Sequence, residues 1–263
     1  MPVITLLTDF GLKDGNVGAM KGVIWDIAPE ARFADLSHTI HPQDIREAAL
    51  VLARAAPYFP DGAVHTVVVD PGVGTARRPI AARLGEHYFV GPDNGVITML
   101  LERVEGKNNR VQFVHLNQPH YWLPEVSNVF HGRDIFAPCA AHLAAGVPLE
   151  NLGDPLDSVI RLDFPQPERF DYGYRAQVIH LDHFGNISTN VRLEHLKGRK
   201  VGSVHLNGFN IPGLVRTFGD RSPGDLVALF GSTGSLIVSV VNGNAAQHLN
   251  ASVGDIVDIR LER

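Results

Sequence analysis

The sequence predicts an α/β N-terminal domain with a mostly parallel central sheet, followed by a smaller all-β C-terminal domain of antiparallel sandwich or barrel type. Three observations carry this expectation. Apolar, β-branched runs alternate with helix-period segments through the first 150 residues, which is the signature of strands joined by crossover helices. Around residues 151–171 prolines 155, 165 and 167 stand in an aperiodic polar stretch, as in a linker. Beyond it, short strand-like runs are separated by Gly, Asn, Asp or Pro, as in an antiparallel sandwich or barrel. The boundaries that follow are 1–160, a linker at 161–170, and 171–263.

In chain order, residues 3–8 (VITLLT) form the first strand-like run, and GAMKGVIWDIA follows with Met20, Val23, Ile24 and Ile27 at helical spacing. Residues 32–36 read as a short strand. DIREAALVLARAA, residues 44–56, has a helical period with Asp44 as N-cap and Pro57 as stop. VHTVVV, residues 64–69, is almost continuously apolar, as expected for a strand buried on both faces. Residues 88–90 read as a strand, 95–104 and 134–145 as helices. In the second half AQVIHLD, KVGSVHLN, DLVALFG, SLIVSVV and GDIVDIRLE read as strands.

Composition narrows the class of function. With 263 residues, 44% hydrophobic and 19% charged, the chain can bury a core without disulfides or structural metal. A formal charge of -5 supplies no basic footprint, so neither nucleic acid nor an anionic membrane is an expected partner. The single cysteine, Cys139, has no internal partner and no CxxC occurs, which fits a reducing, cytoplasmic setting. The N-terminal apolar run is short, lacks a positive flank and meets Asp9 at once, so it does not read as a signal peptide. The 13 histidines invite a metal reading, weighed below.

Candidate chemistry gathers where apolar strands end. Asp9 follows the first strand and Asp70 follows VHTVVV, and parallel sheets bind ligands at the carboxyl ends of their strands. In DPGVGTARR, residues 70–78, Pro71, Gly72 and Gly74 permit a tight turn. Arg77 can fold back across it, and its guanidinium is expected to lower the Asp70 pKa. His131 sits in the glycine loop of VFHGRDIFAP, where no periodicity explains an imidazole. An anion, a cation and a titratable ring together can orient and help deprotonate a water. In HLDHFGNISTN, Asn186 offers donor and acceptor to a purine edge, Phe184 a ring to stack, and Asp182 a partner for an ammonium. Ser232, in FGSTGS, can hold a carboxylate. Singly, each of these last residues also fits ordinary turn chemistry.

Together the segments resemble the S-adenosyl-L-methionine (SAM) hydrolase family, also called SAM hydroxide adenosyltransferases, formerly a domain of unknown function and related to the fluorinase and chlorinase enzymes. The resemblance runs through TDFG at 8–11, DPGVGT at 70–75 with Arg77, GPDNG at 91–95, FHGRDIFAP at 130–138, DHFGN at 182–186 and GSTG at 231–234. It implies hydrolysis of SAM to adenosine and L-methionine without a cofactor, in a homotrimer whose sites lie between the first domain of one subunit and the second domain of its neighbour. Residue by residue, Asp70, Arg77 and His131 match the family's water-handling triad, a trio that halogenating relatives are expected to lack. Asp9 matches the ribose-diol aspartate and Asn186 the adenine-edge position. Phe184 and Phe218 match aromatic neighbours of the base, Asp182 and Ser232 the methionine ammonium and carboxylate contacts. Asp14 and Asn16 lie in the loop after TDFG that also faces substrate. The chain departs from the pattern at 236–241, where Ile237 and Val241 replace residues that are often acidic or polar.

Three rival readings belong beside this one. A metal-dependent hydrolase would use Asp9, His38, His41, Asp70 and His183, although no HExxH is present. A nucleoside-binding sensor would share the scaffold without turnover. A SAM-dependent halogenase would deliver halide in place of water.

Overall fold

The computed structural model describes residues 3–107 and 109–262. The chain divides into two compact units, Met1–Leu162 and Asp163–Arg263.

In unit 1, strand β1 (Val3–Thr8) leads to helix α1 (Asn16–Ile27), β2 (Arg32–Ser37), α2 (Ile45–Ala55), β3 (Val64–Val68), β4 (Pro79–Leu84), β5 (His87–Pro92), α3 (Thr98–Glu105), β6 (Val111–His115), α4 (Ala137–Ala144) and β7 (Asp154–Leu156). The sheet order is β2-β1-β3-β5-β4-β6-β7. The first three pairings along that order are parallel and the last three antiparallel. Five of the seven strands therefore point one way, with β4 and β7 reversed, and the expected α/β sheet is present. The interior strand β3, flanked by β1 and β5, is buried along its whole length, which is why VHTVVV is nearly continuously apolar.

The period-two alternation of strands sends neighbouring residues to opposite layers. Ile4, Leu6, Val64 and Val68 pack under α1 and α4, with Met20, Ile24 and Leu143. Leu7, Val67 and Val69 pack on the other face with Leu52 of α2 and Leu101 of α3. Asp44 caps α2 by accepting from Glu47 N at 2.9 Å, as read from the sequence.

Strands β6 and β7, and the later strands Glu168–Phe170 and Phe209–Pro212, have no counterpart in the sequence reading. Of these, β7 and Glu168–Phe170 fall in the linker-like stretch. Two further departures bear on the site. The strand at 79–84 carries no isolated signal, because PIAARL alternates poorly and is defined by pairing with β5 and β6. The helix expected over 134–145 begins instead as a π-helical turn, Gly132–Phe136, before α4. Pro138 has no N–H to give the Asp134 carbonyl. That carbonyl accepts from Leu123 N at 2.9 Å, which ties the loop before His131 to the helix.

Strand pairing in unit 2 is antiparallel throughout, and the described residues add one short α-helix and two 3-10 turns. Its strands are β8 (Glu168–Phe170), β9 (Gly173–Leu181), β10 (Ile187–Arg192), β11 (Val201–Leu206), β12 (Phe209–Pro212), β13 (Leu226–Phe230), β14 (Ser235–Val240) and β15 (Ile256–Leu261), with α5 (Ala245–His248) before β15. They run β12-β11-β15-β9-β10-β14-β13, with β8 on β9. The Val215 N–H donates to Ala228 O of β13 at 2.9 Å just after β12, bringing the two ends of the sheet together into a nearly closed barrel. Val178, Ile187, Val204, Leu236, Val238 and Ile259 fill it. Among the described residues no helix is long and apolar enough to cross a membrane.

A buried polar chain crosses the first sheet. Thr5 Oγ1 lies 2.9 Å from His65 Nδ1, and His65 Nε2 lies 2.9 Å from His87 Nδ1. Burial, with His87 beside it, lowers the His65 pKa to about 3. The folded chain thus binds fewer protons than the unfolded one between about pH 3 and 6.5, so stability is full above 6.5 and falls as pH drops through that window. We expect the urea midpoint to decline steadily below pH 6.5, and His65→Gln to make the decline shallower by about a few kcal/mol in all, because glutamine takes up no proton on unfolding. Each tenfold difference in proton affinity between folded and unfolded chain is worth ~1.4 kcal/mol. Equal slopes in chemical denaturation of the two proteins would refute this assignment.

Candidate active site

The sequence around Asp70 folds as a tight return. Gly74 takes φ +75°, and a Cβ there would lie 2.3 Å from the Asn128 carbonyl oxygen, so only glycine lets this turn pack against the loop that precedes His131. Arg77 folds back as expected. Its Nε donates to Asp70 Oδ1 at 3.1 Å, and its Nη2 donates to Asp70 Oδ2 and to His131 Nδ1, the latter at 3.1 Å. The two side chains of the ion pair are nearly sealed from solvent, 6% exposed for Arg77 and 4% for Asp70. The guanidinium also lies over the Phe136 ring, 5.3 Å from its centroid. Arg77 Nη1 is buried and has no hydrogen-bond partner among the described residues.

His131 reaches this pair because Gly132 packs on the strand that ends before Asp70. A Cβ on Gly132 would stand 3.0 Å from Val68 Cγ1. A guanidinium has only donors, so Nδ1 of His131 must accept, and the neutral ring carries its hydrogen on Nε2. Burial, followed by the Arg77 charge, lowers the His131 pKa, which holds it in that neutral form. The expectation that Arg77 would lower the Asp70 pKa needs correction. Burial is the largest influence and raises it, outweighing the opposing pull of Arg77 and the weaker one of His131.

Several supporting residues escaped the sequence reading. Asn94, in GPDNG, donates from Nδ2 to Val69 O at 2.9 Å, immediately before Asp70. The neighbouring Asp93 pairs with Arg78, the residue after Arg77, and accepts from Ile160 N at 2.7 Å. Asp134 is fully buried and accepts from Ser127 N at 2.8 Å, fixing the loop that carries His131. The signal for all three was a carboxylate or amide inside a glycine motif, but their partners are distant in sequence.

Asp9 stands at the end of β1, beside β3, and its Oδ2 accepts from Gln43 N at 2.8 Å. Asp14 is exposed in the following loop, and Asn16 is the first residue of α1. In unit 2, Asp182 organises its own turn. Oδ1 accepts from Phe184 N and Asn186 N, at 2.9 and 2.8 Å, and Oδ2 from Asn186 Nδ2 at 2.8 Å. Phe184 is 72% exposed and Phe218 41%, a large apolar display for two rings with no core to fill. Ser232 is exposed in the hairpin between β13 and β14. Ile237, at the departure from the family pattern, packs with Val241 in a small cluster with Val227 and Leu229.

The metal constellation does not assemble in unit 1. His38 is buried against Thr8, at 2.9 Å, and His41 is bonded to Glu47 at 2.8 Å. Among the described residues no group of three or more His, Cys, Asp or Glu side chains is arranged to hold an ion.

Comparison with known proteins decides the family. Residues 4–153 match the SAM hydroxide adenosyltransferase N-terminal domain, and residues 176–258 match the C-terminal domain of the same name. The chain belongs to the SAM hydroxide adenosyltransferase family. A relative from Salinispora arenicola, named (R)-S-adenosyl-L-methionine hydrolase, is 41% identical over 259 residues, covering 97% of this chain and 96% of the relative. A fluorinase from Nocardia brasiliensis is 27% identical, covering 99% and 97%. The crystal structure of an uncharacterized conserved protein from Thermotoga maritima superposes with a TM-score of 0.89 at 37% identity, covering 98% of this chain and 99% of that one.

Because Gly74 is constrained both by φ and by the Asn128 carbonyl, Gly74→Ala should shift the Asp70–Arg77 turn. The expected outcome is a loss of turnover of at least tenfold with a stability loss of roughly 1–3 kcal/mol. Unaltered kinetics in a folded variant would show that the turn does not set the geometry.

Proposed function

We propose that this SAM hydroxide adenosyltransferase hydrolyses SAM to adenosine and L-methionine, with Asp70, Arg77 and His131 handling the water. The observation that carries the reading is the direct contact of a buried carboxylate, a guanidinium and a neutral imidazole at the mouth of a parallel strand. The water oxygen forms a bond to the ribose C5′ as the C5′–S bond breaks, and the bonding pair returns to sulfur as the thioether of methionine. A sulfonium leaves without protonation, so no general acid is required. The proton lost by the water passes to the Asp70 carboxylate, whose raised pKa improves it as a base. Nε2–H of His131 is the donor left to orient the water oxygen, while Arg77 holds the two groups in place.

The remaining roles rest on the family resemblance. Asp9 accepts from the ribose diol, with Asp14 and Asn16 in the same loop. Asn186 reads the adenine edge, Phe184 and Phe218 flank the base, and Asp182 and Ser232 meet the methionine ammonium and carboxylate. The exposure of both phenylalanine rings supports their part. In this reading residues 1–160 bring the water and ribose contacts, 161–170 link, and 171–263 bring the adenine and methionine contacts. The assembly is a homotrimer with intersubunit sites, to be checked by light scattering, and the protein works in the cytoplasm, where an unpaired Cys139 is at home.

Asp70→Ala and His131→Ala should each bind adenosine within a few-fold of wild type while losing roughly 100-fold or more in turnover. Adenosine release from SAM at the wild-type rate in both would refute the roles. Incubation with chloride or fluoride should yield adenosine and no 5′-halo-nucleoside, and excess chelator should leave the rate unchanged. The pH–rate profile should show one acid limb. Activity needs Asp70 ionised and His131 neutral, the first pKa lying above its ordinary 3.8 and the second below its ordinary 6.5, so the rate falls with acid and holds through neutral pH. A rate that climbs as pH drops below 6 would contradict both assignments.

A further inference from the structure

We propose that His38 is a positioning residue for substrate binding: it locks the turn after β1 so that Asp9 presents its carboxylate to a ribose diol. The proposal rests on the reading of Asp9 given above.

A bulge sets the geometry. In the β1–β2 pairing Leu6 lies opposite Asp35 but Leu7 lies opposite Ser37, so Leu36 is the extra residue. The chain after β2 is thereby advanced by one position, and His38 comes level with Thr8, the residue before Asp9. Its Nδ1 lies 2.9 Å from Thr8 Oγ1, and its carbonyl accepts from Gly11 N at 2.7 Å. Thr8 Oγ1 in turn accepts from Phe10 N at 3.3 Å. Residues 8, 10 and 11 are therefore all tied to His38 or to its partner, and Asp9 is the residue they enclose.

The proton arrangement follows. The carboxylate of Asp35 facing Nε2 assigns the ring hydrogen to that nitrogen, so Nδ1 accepts from the Thr8 hydroxyl. Nε2 lies 3.2 Å from Asp35 Oδ1, within ion-pair reach although off the line of a good hydrogen bond. Asp35 Oδ2 is held by Lys21 Nζ at 2.7 Å. On the other side, Gln43 adopts φ +67°, a conformation that a non-glycine residue enters only under constraint, and its N–H points at Asp9 Oδ2. His38 is 5% exposed and Thr8 fully buried. Both act through Asp9 and not on substrate.

The test is calorimetric binding of adenosine and of 2′,3′-dideoxyadenosine to the full chain. Wild type should prefer adenosine by roughly tenfold or more, the worth of hydrogen bonds to a charged acceptor. His38→Leu should lose most of that preference while holding the dideoxy compound as wild type does, and for SAM its KM should rise more than its kcat falls. His38→Asn, whose amide reaches where Nδ1 was, should recover much of the preference. Should His38→Leu fail to fold, the isosteric Thr8→Val breaks the same link and carries the same expectation. A folded His38→Leu or Thr8→Val with the full wild-type preference overturns the proposal. If Asp9→Ala loses the preference while those variants keep it, the diol role of Asp9 stands and only the His38 link fails. If wild type itself binds both nucleosides equally, the diol role fails, and the proposal with it.

Discussion

The site depends on one buried guanidinium. Arg77 holds Asp70 with two of its nitrogens and His131 with one of them, so a single planar donor fork fixes the mutual positions of a carboxylate and an imidazole that are 61 residues apart in sequence. A charge pair taken this far out of water is costly to leave unpartnered, about 3–5 kcal/mol when one member is removed. The surrounding structure is consequently committed to keeping it closed. Gly74 lets the Arg77 turn dock on the Asn128 carbonyl, Gly132 lets the His131 loop dock on Val68, and Phe136 lies against the guanidinium face.

The same pair sets the electrostatics. Burial works against the charged forms of both Asp70 and His131, raising one pKa and lowering the other. Arg77 opposes the shift of Asp70 and reinforces that of His131. The outcome is a carboxylate that is a better base than in water beside an imidazole that stays neutral, two protonation states useful to the deprotonation of a water at neutral pH. In the proposed reaction a sulfonium leaves unprotonated, so the trio need supply no proton to the leaving group.

The fold supplies the platform by ordinary means. Parallel strands β1 and β3 end side by side, and Asp9 and Asp70 follow them directly, as ligand-binding residues do at the carboxyl edge of such sheets. The His65 pair lies within the sheet and not at that edge, where it belongs to stability and not to chemistry. His41, bonded to Glu47, likewise stands apart from the Asp70–Arg77–His131 trio.

By itself the sequence determined the strands with continuous apolar runs, the Asp44-capped helix, the alternation of layers and the clustering of polar groups at strand ends, because each of these is written in local periodicity. The motifs in order also pointed to the family. What only the tertiary structure decided depends on partners far along the chain. The strand at 79–84 exists through its neighbours, and the π-helical turn arises because Pro138 frees a carbonyl for Leu123. The rise in the Asp70 pKa was illegible because spacing shows which charge is near but not how much water has been removed, and here the loss of water is the larger effect.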